Sequence, residues 1–129
     1  MPTKINIKTG SRIEMVDITS LVQEEVTKSG VKDGICMVYV PHTTAGVTIN
    51  EGADPAVCHD ILAKLNDLVP PNAGYSHMEG NADSHVKASL MGSSVSVIVA
   101  DSRLVLGTWQ KIFFCEFDGP RSRKLFFKI

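Results

Sequence analysis

The chain has 129 residues, of which 43% are hydrophobic and 21% are charged, and these values are ordinary for one globular domain. Its formal net charge of −1 gives no overall positive field, and no basic stretch is interleaved with aromatic residues, so we expect no nucleic-acid partner. No apolar run is long enough to span a membrane, so we expect no membrane contact, and we predict a single domain over residues 1–129.

Three cysteines, Cys36, Cys58 and Cys115, lie inside apolar segments. Three thiols cannot all pair within one chain, and none forms a CxxC motif, so each is typical of a small buried hydrophobic residue. The first residues also lack the hydrophobic core of a signal peptide. We therefore predict reduced, mostly buried thiols and a cytoplasmic location.

Hydrophobic periodicity predicts four strands and one helix in the first 50 residues. Alternation of apolar and polar residues indicates half-buried strands on both sides of Gly10 and Ser11, which together form a hairpin. The apolar run over 34–40 is typical of a strand covered on both faces. The predicted elements are strands over 3–9, 12–18, 34–40 and 46–50 and a helix from Asp17 or Thr19 to Gly30.

The rest of the chain adds two helices and a run of strands. Asp54 followed by Pro55 is a strong helix start, and two prolines at 70–71 end that helix. The later elements are a loop over 70–81, a short helix from Asn81 or Asp83 to Gly92, and strands over 94–100, 104–107, 108–117 and 123–129. This order favours an α+β fold: a compact domain of mostly antiparallel β-sheet or sandwich, packed with two or three helices.

Three of the four histidines, His42, His77 and His85, flank strand ends or loops. Neutral imidazole is the commonest metal ligand in proteins, and three of them leave one position open for water or substrate. Their spacing matches no established metal signature. The set therefore predicts either a site for a divalent ion, Zn²⁺ or Mg²⁺, or histidines that are hydrogen-bonded or solvated.

A second group of polar residues flanks the strand over 46–50. Asp54 can cap the helix that follows, whereas Glu51 stands between the strand and a glycine. Capping needs no carboxylate at that position, so we predict that Glu51 acts as a general base or binds a divalent cation. His85 lies in the first turn of the later helix, where the helix field favours a neutral imidazole that donates to phosphate or binds a metal.

Two further segments offer groups for a ligand. Trp109 and Gln110 follow a glycine inside an apolar strand, so Trp109 is either part of the core or a flat wall for an aromatic ring whose polar edge Gln110 contacts. The basic stretch Arg121 to Lys124 is either a solvated surface or a local anion site. Both pairs of alternatives stay open on the sequence alone.

Three long blocks of the sequence resemble signature blocks of the YjbQ family, also called UPF0047. They are HTTAGVTINEGADPAV, NADSHVKASLMG and LGTWQKIFFCEFDGPRSRK, in that order. The resemblance runs through nearly the whole chain. It implies a compact α+β domain, association as a homotrimer, and secondary thiamine-phosphate synthase activity, in which hydroxymethylpyrimidine diphosphate is joined to a thiazole phosphate and pyrophosphate is released.

The resemblance also implies roles for the residues at matching positions. The predicted catalytic residues are Asn50, Glu51, His85 and Gln110. The predicted substrate-binding residues are Thr43, Thr44, Trp109, Arg121 and Arg123. The predicted metal ligands are His42, His77 and His85. We expect both ends of the strand over 46–50 to face one pocket, which in a trimer can lie between subunits.

We therefore expect a metal-dependent enzyme that acts on phosphate-bearing small molecules, a transferase resembling thiamine-phosphate synthase. Two alternatives stay open. One is a metal-dependent hydrolase, in which a metal held by histidines activates water. The other is a non-catalytic trimeric protein that binds a metal or a small metabolite, so that the same polar set serves binding alone.

Overall fold

The computed structural model describes residues 1–129, which form eight strands and three helices. The strands are β1 (Thr3–Lys8), β2 (Glu14–Asp17), β3 (Gly34–Tyr39), β4 (Ala45–Glu51), β5 (Ser94–Ala100), β6 (Arg103–Leu104), β7 (Gln110–Glu116) and β8 (Ser122–Lys128). The helices are α1 (Thr19–Ser29), α2 (Pro55–Leu68) and α3 (Ala82–Met91). None of these helices has the length and apolar character needed to cross a membrane.

The strands form two antiparallel sheets, which confirms the α+β fold. One sheet has five strands in the order β1-β8-β3-β5-β6, and the other has three in the order β2-β7-β4. The main core of 15 buried residues draws on both sheets and on Val22 and Val26 of α1. Alternation explains the contribution of β8, because Leu125 and Phe127 are buried while the residues between and beside them face outward.

The continuous apolar run of β7 reflects two covered faces. Ile112 and Phe114 belong to the main core, whereas Phe113 and Cys115 belong to a second cluster on the opposite face. Apolar residues of α2 and α3 complete that second cluster. The strand β7 therefore connects the core to both helices near the candidate site.

Three strand predictions are wrong. Of the strand predicted over 104–107, only Leu104 lies in a strand, because β6 ends there. The first two strands do not form a hairpin, because β1 pairs with β8 and β2 pairs with β7, in different sheets. The strand β3 is covered on one face only: Cys36 and Val38 are buried, but Ile35 is 65% and Met37 is 48% exposed. No helix or strand of the chain lies over the outer face of the five-stranded sheet, so its outward residues stay exposed.

The helix α3, which carries His85, is fixed by a buried polar network. Lys87 is almost fully buried, and its Nζ donates to Asp83 Oδ2 at 2.8 Å and to Asn66 Oδ1 at 2.9 Å. Arg12 donates to the other oxygen of Asp83 at 3.2 Å. Because these partners come from α2 and from the segment before β2, the network holds the start of α3 in place.

All three cysteines are free, with Cys36 and Cys115 buried and Cys58 half-buried. Burial raises the pKa of Cys115 to about 12, so this thiol carries no charge at neutral pH. The structure therefore agrees with the prediction of free, mostly buried thiols.

Candidate functional site

Two adjoining cavities lie where the loop after β3, the start of α3 and the start of β8 meet. Their volumes are about 470 and 340 Å³, and both are lined by His42, Thr43 and His85. Apart from Pro41, the smaller cavity is lined by polar and charged residues, among them Asp118 and Arg121. We call this pair of cavities the histidine cleft.

A buried ion pair forms the floor of the histidine cleft. Glu116 is fully buried, and Arg123 is 7% exposed. Arg123 Nε donates to Glu116 Oε1 at 2.8 Å, and its Nη2 donates to Glu116 Oε2 and to Thr44 Oγ1, the latter at 2.8 Å. Burial alone would raise the pKa of Glu116, but hydrogen bonds led by that of Arg123 hold it below its usual range. Thr44 and Arg123, both predicted to bind substrate, therefore already have partners in the fold.

His42 is held in one tautomer by the start of β8. Its Nε2 accepts a hydrogen bond from the backbone N–H of Lys124 at 3.0 Å, so a neutral His42 carries its proton on Nδ1. Burial, followed by the nearby charge of Arg123, lowers the pKa of His42 below the ordinary 6.5. His42 is therefore neutral at pH 7, with Nδ1–H available as a donor and no free lone pair for a metal ion.

His77 and His85 lie close to each other. Their ring centroids are 5.1 Å apart in an edge-to-face arrangement, and His77 Nε2 lies 3.7 Å from Glu79 Oε2. No group of three or more His, Cys, Asp or Glu side chains is arranged to hold a metal ion. The residues of one chain therefore do not fit a metal with three protein ligands, although His42 and His85 line the same cavities and His77 lies beside His85.

Arg121 stands at the open edge of the cleft. Its side chain is 52% exposed, its Nε donates to the Asp118 carbonyl oxygen at 2.6 Å, and its Nη2 donates to Asp118 Oδ2 at 2.9 Å. Burial alone would raise the pKa of Asp118, but hydrogen bonds from Asn81 and Arg121 hold it below its usual range. Arg121 thus has a fixed direction, and its Nη1 group is left to bind an anion.

Sequence reasoning gave no site role to three polar residues of this site, Asn81, Glu116 and Asp118. Asn81 Nδ2 donates to Asp118 Oδ2 at 2.8 Å, while Asn81 Oδ1 is buried without a hydrogen-bond partner in the chain. Glu116 carried a usable signal, because an acidic residue within the apolar stretch FFCEF is buried only with a basic partner. Asn81 and Asp118 are polar residues in loops and gave no comparable signal.

Four predicted site residues lie at the other end of β4. They are Asn50, Glu51, Trp109 and Gln110, which we call the strand-end cluster. The strands β4 and β7 pair Glu51 with Gln110 at this end and Ala45 with Glu116 at the cleft end. At about 3.4 Å per residue, the seven residues of β4 span roughly 20 Å. The prediction that both ends of this strand face one pocket is therefore wrong within a single chain.

The strand-end cluster is built on exposed turns. Glu51 Oε2 accepts a hydrogen bond from Asp54 N at 3.3 Å, so the premise that the fold has no use for this carboxylate is wrong. Asp54 in turn caps α2, as predicted, by accepting from a backbone N–H at 2.9 Å. Gln110 Oε1 accepts from Gly107 N at 2.7 Å. Trp109 is 62% exposed, so it is an open flat surface and not part of the core.

Known proteins of one family match this chain over nearly its whole length. The family model described as UPF0047 protein YjbQ-like matches residues 3–129. A UPF0047 protein of Methanocaldococcus jannaschii is 55% identical over 126 residues, covering 98% of this chain and 91% of that protein. The UPF0047 protein YugU of Bacillus subtilis is 48% identical over 126 residues, covering 97% of this chain and 96% of that protein.

Solved structures share the fold described above. The crystal structure of a YjbQ/UPF0047 family protein from Clostridium acetobutylicum has a TM-score of 0.97 at 53% identity and covers 98% of both chains. A hypothetical protein from Aeropyrum pernix has a TM-score of 0.94 at 37% identity, covering 99% of this chain and 96% of that one. From the match in sequence and in fold, this chain belongs to the YjbQ family, UPF0047.

Proposed function

We propose that the chain is an enzyme that acts on phosphate-bearing small molecules in the histidine cleft. The observation that carries this proposal is the donor set: a neutral His42 with its Nδ1–H free and the half-exposed Arg121 line one cavity of about 340 Å³, whose walls are almost entirely polar. Such a volume suits a small molecule. Convergent N–H donors of this kind suit phosphate oxygens.

Each residue of the cleft has a distinct role in this proposal. Arg121 and the His42 Nδ1–H hold phosphate oxygens, and the exposed Thr43 adds a hydroxyl contact. His85, at the start of α3, is the candidate general acid or base. Arg123 is a positioning residue, because its buried ion pair fixes the floor on which these groups stand.

The resemblance to secondary thiamine-phosphate synthases supports a specific transferase reaction. The thiazole nitrogen attacks the methylene carbon of hydroxymethylpyrimidine diphosphate, a C–N bond forms, and the C–O bond to the diphosphate breaks, so that pyrophosphate leaves with the bonding electrons. Positive charge develops on the methylene during this step, and a carboxylate such as Glu51 stabilises it. The flat surface of Trp109, with Asn50 and Gln110 beside it, suits a pyrimidine ring.

In this proposal the reaction uses two copies of the chain at once. One chain keeps its histidine cleft and its strand-end cluster roughly 20 Å apart, whereas contacts in a cyclic trimer are heterologous and join different patches of neighbouring copies. An exposed apolar patch on the five-stranded sheet supports contact between copies, since Ile35 is 65%, Ile98 is 60% and Val105 is 53% exposed. In the proposed homotrimer, the strand-end cluster of one copy completes the cleft of its neighbour.

The binding of a divalent ion, Zn²⁺ or Mg²⁺, is a separate prediction. Because one chain does not fit a three-ligand site, an ion would need ligands from two copies or from the substrate phosphates. Metal analysis of the purified protein tests this directly. We also propose a cytoplasmic location, which the three free cysteines support.

Thiamine phosphate formation by the purified protein tests the proposed reaction. We expect His85→Ala to lower turnover by about 10²–10⁴-fold, the usual contribution of a general acid or base, with little change in melting temperature. His59→Ala is the matched control, because His59 is exposed on α2 and does not line the cleft, and it should keep full activity. Wild-type protein that binds pyrophosphate but forms no product would instead support the non-catalytic alternative.

A further inference from the structure

Asp118 places a carboxylate in a cavity wall that otherwise suits anions. It lines the cavity of about 340 Å³ together with His42, Arg121 and Arg123. The N–H donors of this wall suit phosphate oxygens, whereas a carboxylate repels an oxygen that carries negative charge. The roles proposed for the cleft do not use this carboxylate, although it lies in the same wall as the phosphate donors.

The two oxygens of the Asp118 carboxylate have different surroundings. Oδ2 accepts hydrogen bonds from Asn81 Nδ2 at 2.8 Å and from Arg121 Nη2 at 2.9 Å. Oδ1 accepts none from the chain, and it is not a buried atom, since the one buried side-chain nitrogen or oxygen without a partner is Asn81 Oδ1. Oδ1 is therefore an open acceptor in a carboxylate whose orientation two hydrogen bonds fix.

Asp118 is ionised at neutral pH. Burial alone would raise its pKa, but the hydrogen bonds from Asn81 and Arg121 hold that pKa below its usual range. An ionised carboxylate accepts hydrogen bonds and cannot donate any. Oδ1 therefore favours a ligand that offers it a hydrogen-bond donor, and it repels a ligand oxygen that has no proton.

The positive charges of this wall already have acidic partners. Arg123 is paired with the buried Glu116, and Arg121 is paired with Asp118 at 2.9 Å. The wall also contains a second carboxylate, that of Glu79. Because no arginine or lysine of the wall lacks an acidic partner, the arrangement of donors and acceptors decides which anion fits the cavity, rather than an excess of positive charge.

We propose that Asp118 selects the phosphate group that binds in the histidine cleft. Its Oδ1 accepts a hydrogen bond from a P–OH group, while Arg121 Nη1 and His42 Nδ1–H donate to the unprotonated oxygens. The group recognised is a phosphate that keeps one proton, as in hydrogen phosphate or a singly protonated phosphate ester. Sulfate has the same tetrahedral shape but no proton at neutral pH. This inference rests on the phosphate binding proposed above and adds a specificity-determining residue to it.

Titration of the full chain with inorganic phosphate and with sulfate tests this role. At about pH 8 both are mainly doubly charged anions, since the second pKa of a phosphate group lies about two units lower. NMR chemical shifts of the isotope-labelled protein, followed at constant ionic strength with a metal chelator present, give both dissociation constants. We expect phosphate to bind about 10–100-fold more tightly than sulfate, the factor that a hydrogen bond to an ionised group contributes.

Asp118→Asn removes the charge and keeps the size of the side chain. Its amide oxygen still accepts from Asn81 and Arg121, and the bond from Arg121 Nε at 2.6 Å goes to the backbone carbonyl of this residue. The amide nitrogen then offers a donor to the ligand. The preference for phosphate should therefore be lost, and sulfate should bind at least as tightly.

Glu79→Gln is the matched control for this variant. It also removes one negative charge from the cavity wall, but the Glu79 side chain is 77% exposed and solvent can separate it from the ligand. The preference for phosphate should stay unchanged. An equal loss of preference in Glu79→Gln and Asp118→Asn would overturn the proposal, because negative charge in general would then account for the selection.

The remaining outcomes separate this inference from the proposed function. Equal binding of phosphate and sulfate by the wild type overturns the role of Asp118 alone. Absence of chemical-shift changes with either anion refutes both that role and phosphate binding in the cleft. A preference for phosphate that appears only when Mg²⁺ replaces the chelator also overturns the role, because Oδ1 then binds a cation. A thermal melt checks that Asp118→Asn folds, and if it does not, the wild-type ratio decides.

Discussion

The two ends of β4 hold their polar groups in opposite ways. At the cleft end, Glu116 is fully buried and Arg123 nearly so, and the two are paired. At the other end, Glu51 is only partly buried and Trp109 is 62% exposed. Buried charges persist only with partners in good geometry, so the cleft end is fixed before a ligand arrives. The strand-end cluster, by contrast, presents its groups outward, where a neighbouring molecule can contact them.

Breaking the buried ion pair should have the largest effect. Arg123→Ala leaves Glu116 buried without its partner, and the loss of one member of such a pair costs about 3–5 kcal/mol of unfolding free energy. Arg121→Ala is the matched control, because its pair with Asp118 is half exposed and should contribute about 1 kcal/mol or less. Urea unfolding followed by circular dichroism measures both variants. Equal losses would show that burial does not distinguish the two pairs.

Removing the charge of Glu51 should have the next largest effect, on turnover rather than on stability. The amide of glutamine still accepts a hydrogen bond from Asp54 N, so the turn before α2 is retained. If the carboxylate stabilises developing positive charge, Glu51→Gln should lower turnover about 10²–10³-fold, or about 2.7–4 kcal/mol. Thiamine phosphate formation and a thermal melt measure the two quantities. Activity lost only in proportion to stability would give Glu51 a structural role alone.

Local signals were sufficient for the helices but not for the strand pairing. Asp54 and Pro55 marked the start of α2, and Gly92 marked the end of α3, because caps and helix-ending residues act on their immediate neighbours. The pairing of β1 with β8 joins the two ends of the chain. No local pattern specifies such a contact, and the turn signal at Gly10 therefore suggested a hairpin that does not form.

The candidate site shows the same limit. His42 and His85, which line both cavities, could be selected from the sequence because polar groups at the ends of apolar elements tend to face an opening. The ion pair between Arg123 and Glu116 could not be predicted from the sequence, since it depends on how the two sheets pack together. The separation of Glu51 from the cleft could have been predicted from the sequence, because a strand of five residues already spans about 17 Å.

Alanine substitutions of two glycines, one near each end of β4, should distinguish the two ends by a smaller loss of stability. A Cβ added at Gly46 would lie 2.6 Å from the Gly92 carbonyl oxygen and 3.2 Å from Met91 Cβ, so Gly46→Ala should cost about 1–3 kcal/mol. A Cβ at Gly52, just after β4, would lie 2.1 Å from Cγ and 2.8 Å from Cβ of Lys111. A new rotamer moves Cγ but not Cβ, so the backbone after β4 must shift as well. This turn is followed by exposed residues, whereas Gly46 is buried, so we expect Gly52→Ala to lose less stability in urea unfolding. The reverse order would contradict a fixed cleft end.

Mixing two inactive variants tests whether the two ends of β4 meet across copies. The expected difference in activity between the mixture and the wild type is the smallest effect considered. Glu51→Gln keeps an intact cleft, and His85→Ala keeps an intact strand-end cluster. In a cyclic trimer, random assembly of equal amounts combines an intact cleft with an intact neighbouring cluster at about one site in four. Refolding the variants together should therefore restore activity to within about fourfold of the wild type, measured as thiamine phosphate formation.

Each variant refolded alone is the control for this mixture, and each should stay inactive. Native mass spectrometry of the refolded sample establishes whether trimers containing both variants have formed. If they have formed and activity stays at the level of the separate variants, each cleft works only with groups of its own chain. The strand-end cluster would then serve a function separate from the cleft, because the length of β4 keeps the two apart within one chain.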